Sequence, residues 1–580
     1  MRSSGLLLLW VALVWLHPRP ATAEFEIFKR DVDVLTGTEV RATSPFERVP
    51  PRGFIPVKII IRNGFDQPRS WTVTFRSQPQ YGEGLRFVSS YPVTTPASSE
   101  TEHAFLVPLV SKLDRSVEGE LQISVRSGRF EAQGNHPGML TTDWRSVAFS
   151  KGLAGLNNLE ELTKAVDARG SLASLGQPLA ATFAPAEVPV DWRALTGFDS
   201  ILMSRREWDA LEPALRETFS SWVRLGGQLH LFGTEAAPSA KQLGMGHISN
   251  WPWDGLKLPV DQLAPELDTS PSLIKSLRED YQTNPLQSAF GEKDFNPLLV
   301  FLILAAFAVV VGPVNLQVWA KPGQRHRLFI TTPLISLAAS LILLVIILLG
   351  DGFGGSGRRV GFMLLRSQPE ERLAHLIQEQ ISRTGVLGGR QFAASETSWL
   401  SPVVMKRSRW THFDDPYAME ANFQQADGQI GGDWFRSRSE QMQLVRAATP
   451  TRARIEVIAP GADAQPPQLF NSLGYGLKSF YYQDASGKYW RSGAPVPSGK
   501  PIELEPIPAK EYKLAWEKTY ASFSKTWDFK FSKLSSEPNQ FLAEADDPGA
   551  LLIPSLRSIR WRDDRLFVAG EPVNRSATAP

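Results

Sequence analysis

Two long apolar runs separated by a short basic segment constrain this chain more than any other feature of its sequence. Residues 295–320 contain no charged side chain, and residues 328–350 contain none either. Each run is long enough to cross the roughly 30 Å hydrocarbon layer of a bilayer as a helix. The alternative is a pair of buried core helices, but such helices usually keep a polar face and neither run has one. The pattern predicts two transmembrane helices.

The segment between the runs fixes the expected orientation. Residues 321–327 carry three basic side chains, Lys321, Arg325 and Arg327, and Trp319 precedes them where an interfacial aromatic residue is expected. By the positive-inside rule this turn is cytoplasmic. Because two crossings return the chain, both large flanking portions are predicted on the exported side.

The end of the first run departs from a simple apolar helix. Gly312 and Pro313 are expected to weaken or kink it, because proline lacks an amide donor and clashes with the preceding turn. Asn315 follows within the same run. Two interpretations stay open: the amide contacts a helix of a partner protein, or it lies near the headgroups and is hydrated. Ser336 and Ser340 have the small-xxx-small spacing of a helix-packing face.

The first residues resemble an export signal. Arg2 precedes an apolar stretch that ends near Leu16, and Ala21-Thr22-Ala23 fits a signal-peptidase site. We therefore expect residues 1–23 to be a signal peptide. The alternative, an uncleaved anchor, requires a longer run than this one.

Charge and cysteine content exclude several functions. Lys and Arg number 62 against 60 Asp and Glu, so the sequence has no bulk charge for binding nucleic acid. The chain contains no cysteine, which excludes disulfides, thiolate catalysis and cysteine metal sites. An exported chain of this kind is typical of a bacterial envelope protein.

Residues 24–140 have the pattern of a β-sandwich. Val57, Ile59 and Ile61 alternate with residues of the opposite face, and Trp71 begins a second alternating run after a turn-forming segment. Such alternation indicates antiparallel strands with one face in a core.

Residues 141–258 change to an alternation of strands and helices. VAFS and FDSILMS read as strands, NNLEELTKAVDA and EPALRETFSSWVRLGG as helices, and QLHLFG as a further strand. This order predicts an α/β domain with a parallel sheet. In such folds ligands bind at the carboxyl ends of the strands.

The run DSILMSRREWDALEPALRETFSSWVRLGGQLHLFG is similar to the central part of class I glutamine amidotransferase-like domains, which share the WV-x-x-GG pattern. With the GPVN segment, the basic turn and the TTP sequence of the second run, the chain resembles uncharacterised bacterial two-pass envelope proteins that carry this domain outside the membrane. The resemblance implies a flavodoxin-like, glutamine amidotransferase-like fold. Since those relatives act through a cysteine, it also implies that the activity is lost.

Other candidates for catalysis are weak. The Gly-x-Ser-x-Gly elbow is absent, and His230 fits a packed strand residue better than a base. His247 lies in a loop without an obvious partner, and Glu160 and Glu161 are adjacent on a helix and point apart. We assign no catalytic, cofactor-binding or metal-binding residue.

Residues 351–580 are predicted to form an exported β-rich domain, with one helix at residues 370–384 and a hairpin turning at Asp563-Asp564. THFDDP brings His412, Asp414 and Asp415 together as the best metal candidate. A site needs three or four converging ligands and this is only a local cluster, so a hydrated loop with an acidic turn is the preferred interpretation. The predicted organisation is therefore a signal peptide (1–23), a β-sandwich (24–140), an α/β domain (141–258), a linker (259–294), a first transmembrane helix (295–320), a cytoplasmic turn (321–327), a second transmembrane helix (328–350) and a β-rich domain (351–580).

The sequence favours a non-enzymatic envelope protein of the inner membrane, whose exported domains serve binding or assembly in a multiprotein complex for transport or envelope stress. Its expected partners are the lipid bilayer and a membrane protein that contacts the helical hairpin; nucleic acid is not expected, nor is a cofactor, and the ligand stays unknown. Two alternatives remain: an exported hydrolase or transferase acting on cell-wall material, and a carbohydrate-binding module.

Overall fold

The computed structural model describes residues 24–79, 86–109, 119–139, 146–155, 158–166, 180–233, 237–268, 285–286, 297–319, 321–367, 372–393, 398–403, 418–424, 429–432, 434–459, 466–523 and 534–575. The chain forms two compact units: residues 1–275 with 417–427, and residues 276–416 with 428–580. The predicted signal peptide, most of the predicted linker and the THFDDP cluster lie outside the described residues. The described structure is mostly β-sheet, with two long apolar helices.

The first unit begins with two antiparallel sheets, in the orders β1-β2-β3-β6 and β5-β4-β7-β8. Their strands are β1 Phe25–Asp33, β2 Thr38–Ser44, β3 Gly53–Asn63, β4 Arg69–Pro79, β5 Arg86–Thr95, β6 Ser99–Leu109, β7 Gly119–Ser127 and β8 Phe130–Pro137.

The alternating residues of β3 and β4 form the core between these sheets. Ile59 and Ile61 on β3, and Val73 and Phe75 on β4, are fully buried. The ring of Phe75 lies 5.3 Å from that of Phe105 on β6, which joins the two faces. Because β3 and β4 belong to different sheets, the turn between them crosses from one sheet to the other, as in sandwich folds.

The first unit also contains a sheet of order β10-β9-β11-β12-β14-β13. Every pairing from β10 to β14 is parallel, and β13 adds an antiparallel edge. The strands are β9 Val147–Ser150, β10 Ala180–Phe183, β11 Ser200–Ser204, β12 Gln228–Gly233, β13 Ser239–Leu243 and β14 Gly246–Pro252, and the helices between or after them are Lys151–Ala154, Leu159–Val166, Arg205–Ala210, Pro213–Arg224 and Val260–Asp268.

Strands β9, β11 and β12 and two of the helices match elements expected from the sequence. The helix Leu159–Val166 buries Leu162 and Val166 against the sheet, as its amphipathic spacing predicts. The helix Pro213–Arg224 ends before Gly226, whose φ of 111° is in a region that side chains with a Cβ rarely adopt.

The sheet of β9–β14 packs on the sandwich through an aromatic and an ionic contact. The rings of Phe46 and Phe183 stack at 5.7 Å. Arg52 pairs with Asp199, whose carboxylate also accepts a hydrogen bond from the Ser146 amide at 3.0 Å. A buried arginine needs such an acceptor, since an unpaired buried charge is strongly unfavourable.

The second unit contains the apolar helices. The first is α-helical over Pro297–Val309 and continues as a π-helix over Val310–Trp319. The π-helix contains Pro313, which cannot donate to a carbonyl of the preceding turn, so a wider turn accommodates its ring. A short 3-10 turn, Arg325–Arg327, leads into the second helix, Leu328–Asp351.

The rest of the chain is β-rich, as predicted. A large sheet has the order β18-β21-β16-β15-β30-β28-β24-β25-β27, and a small one has the order β26-β23-β22-β31. The strands are β15 Gly355–Ser367, β16 Arg372–Thr384, β17 Phe392–Ala393, β18 Ser398–Val403, β19 Ala418–Gln424, β20 Gln429–Gly432, β21 Glu440–Pro450, β22 Arg454–Ala459, β23 Gln468–Ser472, β24 Leu477–Gln483, β25 Tyr489–Ser492, β26 Pro501–Ile502, β27 Leu504–Ile507, β28 Phe541–Ala545, β29 Ile559–Trp561, β30 Arg565–Gly570 and β31 Val573–Asn574, with one helix, Ala509–Tyr520.

The predicted helix at residues 370–384 is wrong, because residues 372–384, the part of it that the structure describes, form the strand β16. It pairs with β15 along one edge and with β21 along the other, and nearly every side chain in it is buried. A strand buried on both faces loses the alternation that marks a half-exposed strand. The spacing of Leu373, Leu376 and Ile377 then imitates a helical face.

The predicted hairpin at Asp563-Asp564 is also wrong. Both β29 and β30 run parallel to β15, one after the other. The two aspartates interrupt them, and Asp563 has a φ of 52°. They pair with consecutive arginines of β15: Arg358 with Asp563 at 2.8 Å and Arg359 with Asp564 at 2.6 Å.

One strand from the later part of the chain belongs to the first unit. Strand β19 pairs in parallel with the edge strand β5, with Ala418 opposite Arg86. Beyond this pairing, Ser89 donates through its hydroxyl to the carbonyl of Ala421. Phe423 is 3% exposed, and its ring lies 5.4 Å from that of Phe54. The first unit therefore includes residues from before and after the apolar helices.

Candidate functional site

The apolar helices have the composition and exposure of membrane spans. Two stretches, Phe301–Trp319 and Arg325–Val345, are long and apolar enough to cross a bilayer. In the most apolar 18 residues of each, only 6% and 0% of the residues are buried in the protein. Large side chains such as Phe301 and Phe329 are 66% and 85% exposed. Exposed apolar surface on this scale requires lipid or another protein to cover it.

The residues predicted to fix the topology lie at or beside the turn of this hairpin. Trp319 is 44% exposed, and the side chains of Lys321, Arg325 and Arg327 are exposed. An aromatic ring beside a cluster of basic groups suits a headgroup layer. Gly312 has open space where a Cβ would be, so close helix packing does not explain it.

Asn315 contacts the chain's own second helix. Its side chain is fully buried, and Nδ2 donates to Oγ1 of Thr332 at 3.1 Å. Among the described residues its Oδ1 has no hydrogen-bond partner. Neither serine of the predicted packing face is buried: Ser336 is half-buried and Ser340 is exposed.

A second group of polar residues lies at the carboxyl ends of β9 and β11, where a parallel sheet commonly binds ligands. Glu207 accepts hydrogen bonds from the hydroxyl of Ser150 at 2.6 Å and the hydroxyl of Ser204 at 2.7 Å. It also accepts from the amide of Gly152 at 2.9 Å. A Cβ on Gly152 would lie 2.6 Å from this carboxylate, so only glycine allows the approach.

The position of Glu207 follows from the local sequence. Ser204 caps the helix Arg205–Ala210, and Glu207 is the third helical residue, so the two form a capping box. The same carboxylate then bridges to the end of β9. Sequence analysis missed this group, although the S-x-x-E spacing of a capping box is visible at residues 204–207. The internal carboxylate occupies the anion-binding position that such an edge offers.

The two histidines considered in the sequence lie on neighbouring strands of this sheet, His230 on β12 and His247 on β14. The prediction that His247 lies in a loop is therefore wrong, because GHIS begins an inner strand of the sheet. His230 is fully buried and accepts a hydrogen bond from Trp251 Nε1 at its Nδ1, at 3.1 Å. The rings of His230 and His247 are 5.9 Å apart. This packing within the strands fits the interpretation of His230 as a core residue.

The outer face of β4, β7 and β8 forms a shallow polar cleft of about 300 Å³. Glu131 receives hydrogen bonds from Gln133 and from Arg126, and these lower the pKa of its carboxyl group. Glu120 accepts from Gln122 at 2.7 Å and from Asn135 at 3.3 Å. The cleft combines amide and guanidinium groups, which can bind hydroxyl groups of a ligand.

Among the described residues no group of three or more His, Asp or Glu side chains converges as a metal site. The cluster of His412, Asp414 and Asp415 lies outside them.

Comparison with known proteins assigns no family. No family model matches the sequence, and no curated protein matches it. Among solved structures, a Paenibacillus cycloisomaltooligosaccharide glucanotransferase aligns at 10% identity and a TM-score of 0.17, over 33% of this chain and 27% of that chain. A Bacteroides uniformis β-glucuronidase 2 calcium-binding mutant aligns at 11% identity and a TM-score of 0.15, over 34% and 23%. This chain thus spans about a quarter of those proteins, and TM-scores this low carry no argument about fold or function.

Proposed function

We propose that this protein is a non-enzymatic, membrane-anchored component of a multiprotein complex in a bacterial inner membrane. Its apolar hairpin spans the bilayer, the turn of residues 321–327 faces the cytoplasm, and both large flanking portions lie on the exported side. The exported domains bind or assemble partners for transport or for the response to envelope stress.

The pairing of β19 with β5 carries this proposal. Strand β5 precedes the hairpin in the chain and β19 follows it, yet the two form adjacent strands. Tyr91 donates through its hydroxyl to the Phe423 carbonyl at 3.3 Å and accepts from the Phe423 amide at 3.1 Å. Burial raises the pKa of this phenol, so it stays protonated and able to donate. Strands can pair in this way only if an even number of crossings separates them.

The parallel sheet supports a binding role over catalysis. Its strand order, numbered by sequence within β9, β10, β11, β12 and β14, is 2-1-3-4-5, which is the flavodoxin-like order and fits the proposed glutamine amidotransferase-like fold. The direction in which the chain adds strands to the sheet reverses between β9 and β11. At that place the hydroxyls of Ser150 and Ser204 both donate to Glu207. A hydrolase would need a nucleophile with a matched base at that place.

Engineered cysteines test the topology directly, because the natural chain has none. We would introduce Lys257→Cys before the hairpin, Gln324→Cys in the turn and Lys500→Cys after it, all at exposed positions. With a membrane-impermeant maleimide on spheroplasts, we expect labelling at 257 and 500, and labelling at 324 only after lysis. Labelling at 324 in intact spheroplasts would contradict the orientation. Unequal labelling at 257 and 500 would contradict the hairpin.

Identification of co-purifying proteins tests the assembly role. We expect the full-length protein, extracted in mild detergent, to retain at least one membrane protein. Recovery of the chain alone under every extraction condition would contradict this part of the proposal.

A carbohydrate-binding module is the second candidate, and the polar cleft on β4, β7 and β8 favours it. Its Gln122, Gln133 and Asn135 side chains provide amides at the spacing of adjacent strands. We expect saturable binding of soluble glycans that is lost in Gln122→Ala/Gln133→Ala. Unchanged binding by that variant would exclude this cleft as the site.

A further inference from the structure

The segment that follows the second apolar helix is joined by main-chain hydrogen bonds to two loops of the second unit. After the helix ends at Asp351, the Gly354 amide donates to the Val386 carbonyl at 3.0 Å, and the Gly355 amide donates to the Ser558 carbonyl at 3.0 Å. The first of these loops is joined to a third one, because the Arg438 amide donates to the Gly385 carbonyl at 2.9 Å. Two loops therefore adjoin the exit of the helix, and a third adjoins one of them.

The four segments at this exit carry six arginines and no acidic residue. The segments are residues 352–355, 385–390, 436–439 and 557–562. Their arginines are Arg390, Arg436, Arg438, Arg557, Arg560 and Arg562. We call these four segments the arginine collar. Five of the six side chains are exposed and Arg436 is half-buried.

The neighbouring charges show that the collar differs from the interior of the sheet. Arg359 is buried and pairs with Asp564, and Arg358 pairs with Asp563. Arg383 pairs with the buried carboxylate of Glu440 at 2.7 Å. These three pairs carry no net charge, and the six collar arginines together with Asp351 at the helix end carry a formal charge of +5, so the region has an excess of positive charge.

The collar lies at the depth of the lipid headgroups if the second helix spans the bilayer as proposed. Leu328–Asp351 is 24 residues long, and at about 1.5 Å per residue it slightly exceeds a hydrocarbon layer of about 30 Å. Only Gly352, Phe353 and Gly354 separate it from β15. Three residues span at most about 11 Å, and the headgroup region on one side is about 5–8 Å thick.

Two aromatic residues at the same place support this depth. Phe353 is 73% exposed, which is unusual for a phenylalanine in water and ordinary for one in the interface of a bilayer. Trp561, within the collar, is half-buried, and tryptophan is enriched at membrane interfaces.

We propose that the arginine collar binds the phosphate groups of anionic phospholipids in the leaflet that the second helix leaves. This inference rests on the proposed membrane-spanning hairpin. Guanidinium groups bind phosphate through paired hydrogen bonds and keep their charge at any physiological pH. A ring of them at a helix exit both recognises anionic headgroups and fixes how the sheet of β15 stands on the membrane. Binding of anionic lipid also explains why the collar has basic residues on the side of the membrane where the positive-inside rule disfavours them.

The test uses the full-length protein in nanodiscs of phosphatidylcholine with a minor fraction of phosphatidylglycerol. After extraction in mild detergent, mass spectrometry gives the ratio of the two lipids that stay bound. We expect phosphatidylglycerol to be enriched in the wild type, and the enrichment to decrease at high salt. In Arg557→Gln/Arg560→Gln/Arg562→Gln it should fall by at least about tenfold, since each basic group near the surface contributes about a fivefold preference.

Two control variants test whether the effect depends on the position of the charge and on the charge itself. Lys510→Gln/Lys513→Gln/Lys518→Gln removes the same charge from exposed positions of the helix Ala509–Tyr520, and it should keep the enrichment. Arg557→Lys/Arg560→Lys/Arg562→Lys keeps the charge and should retain most of it.

Equal enrichment in the two glutamine variants would overturn the collar, and so would an absence of enrichment in a wild-type protein that enters the discs. A wild-type protein that does not enter the discs at all would overturn both the collar and the spanning hairpin.

Discussion

Asn315 on the first apolar helix donates through Nδ2 to Oγ1 of Thr332 on the second, at a distance of 3.1 Å. Hydrogen bonds between helices in lipid hold them in one register, because no water competes for the donor. The bond lies near the basic turn, so it holds the two helices together at that end of the hairpin.

Replacing Thr332 by valine should destabilise the hairpin by about 1–2 kcal/mol. The change keeps the side-chain shape and leaves the buried Asn315 amide without an acceptor. The measurement is the free energy of unfolding in an SDS titration. Thr331→Val is the matched control, since the Thr331 hydroxyl donates to the carbonyl of Arg327, in the turn just before the same helix, and makes no bond to the described residues of the first helix. Equal losses in both variants would show that the interhelical bond contributes nothing.

Replacing Glu207 by alanine should destabilise the parallel sheet by about 2–3 kcal/mol, because the hydroxyls of Ser150 and Ser204 and the Gly152 amide lose one shared acceptor. Thermal unfolding of the full-length protein, with hydrogen exchange of β9 and β11, measures this loss. Asp209→Ala is the control, since it removes an exposed carboxylate of the same helix whose pair with Arg205 has little effect. If the two variants unfold alike, the group around Glu207 is not a structural bridge.

Replacing Phe423 by alanine should release β19 from the first unit. The ring is 3% exposed and packs on Phe54, and loss of a buried phenylalanine costs about 3–5 kcal/mol. We expect the amides of β19 and β5 to exchange with solvent at least about 100-fold faster. Glu420→Ala, at an exposed position of the same strand, should leave exchange unchanged. Continued protection in Phe423→Ala would mean that main-chain pairing alone holds the strand.

The sandwich should lose stability in mild acid through His136. Burial lowers the pKa of this imidazole to about 4, although its hydrogen bond to the Phe46 carbonyl raises it, and Arg48 lowers it further. The unfolded value is about 6.5, so the folded state favours the neutral ring. This stability is complete above pH 6.5 and decreases as the pH falls toward 4, by a total of about 3 kcal/mol.

Urea unfolding of the wild type and of His136→Gln at several pH values isolates this contribution. The difference between the two proteins should be constant above pH 7 and should narrow below pH 6.5. A difference that does not change with pH would show that His136 does not titrate in this range.

Sequence patterns predicted the parts of the fold whose signals are local. The apolar helices, the strand VAFS and the helix with Leu162 and Val166 are each determined by the spacing of side chains over a few residues. The failure at β16 has a physical cause, since a strand enclosed by β15 and β21 buries both faces and leaves no alternation to read.

The polar contacts were beyond such patterns because their partners are distant in the chain. Ser150 and Glu207 form one group although 57 residues separate them. The collar arginines come from three separate segments and become one surface only when the sheet forms. Asn315 contacts Thr332, 17 residues away, only because the two apolar helices lie side by side, which no local residue spacing specifies.

The pairing of β19 with β5 also sets an order of events during synthesis. At about 5–20 residues per second, the ribosome needs on the order of half a minute after making β5 to produce β19, and both apolar helices must be inserted in between. Throughout that interval the edge of β5 lacks its pairing strand, and an unpaired strand edge promotes association with other chains. A truncated product would keep that edge permanently, which gives chaperones and proteases a means to distinguish finished molecules from unfinished ones.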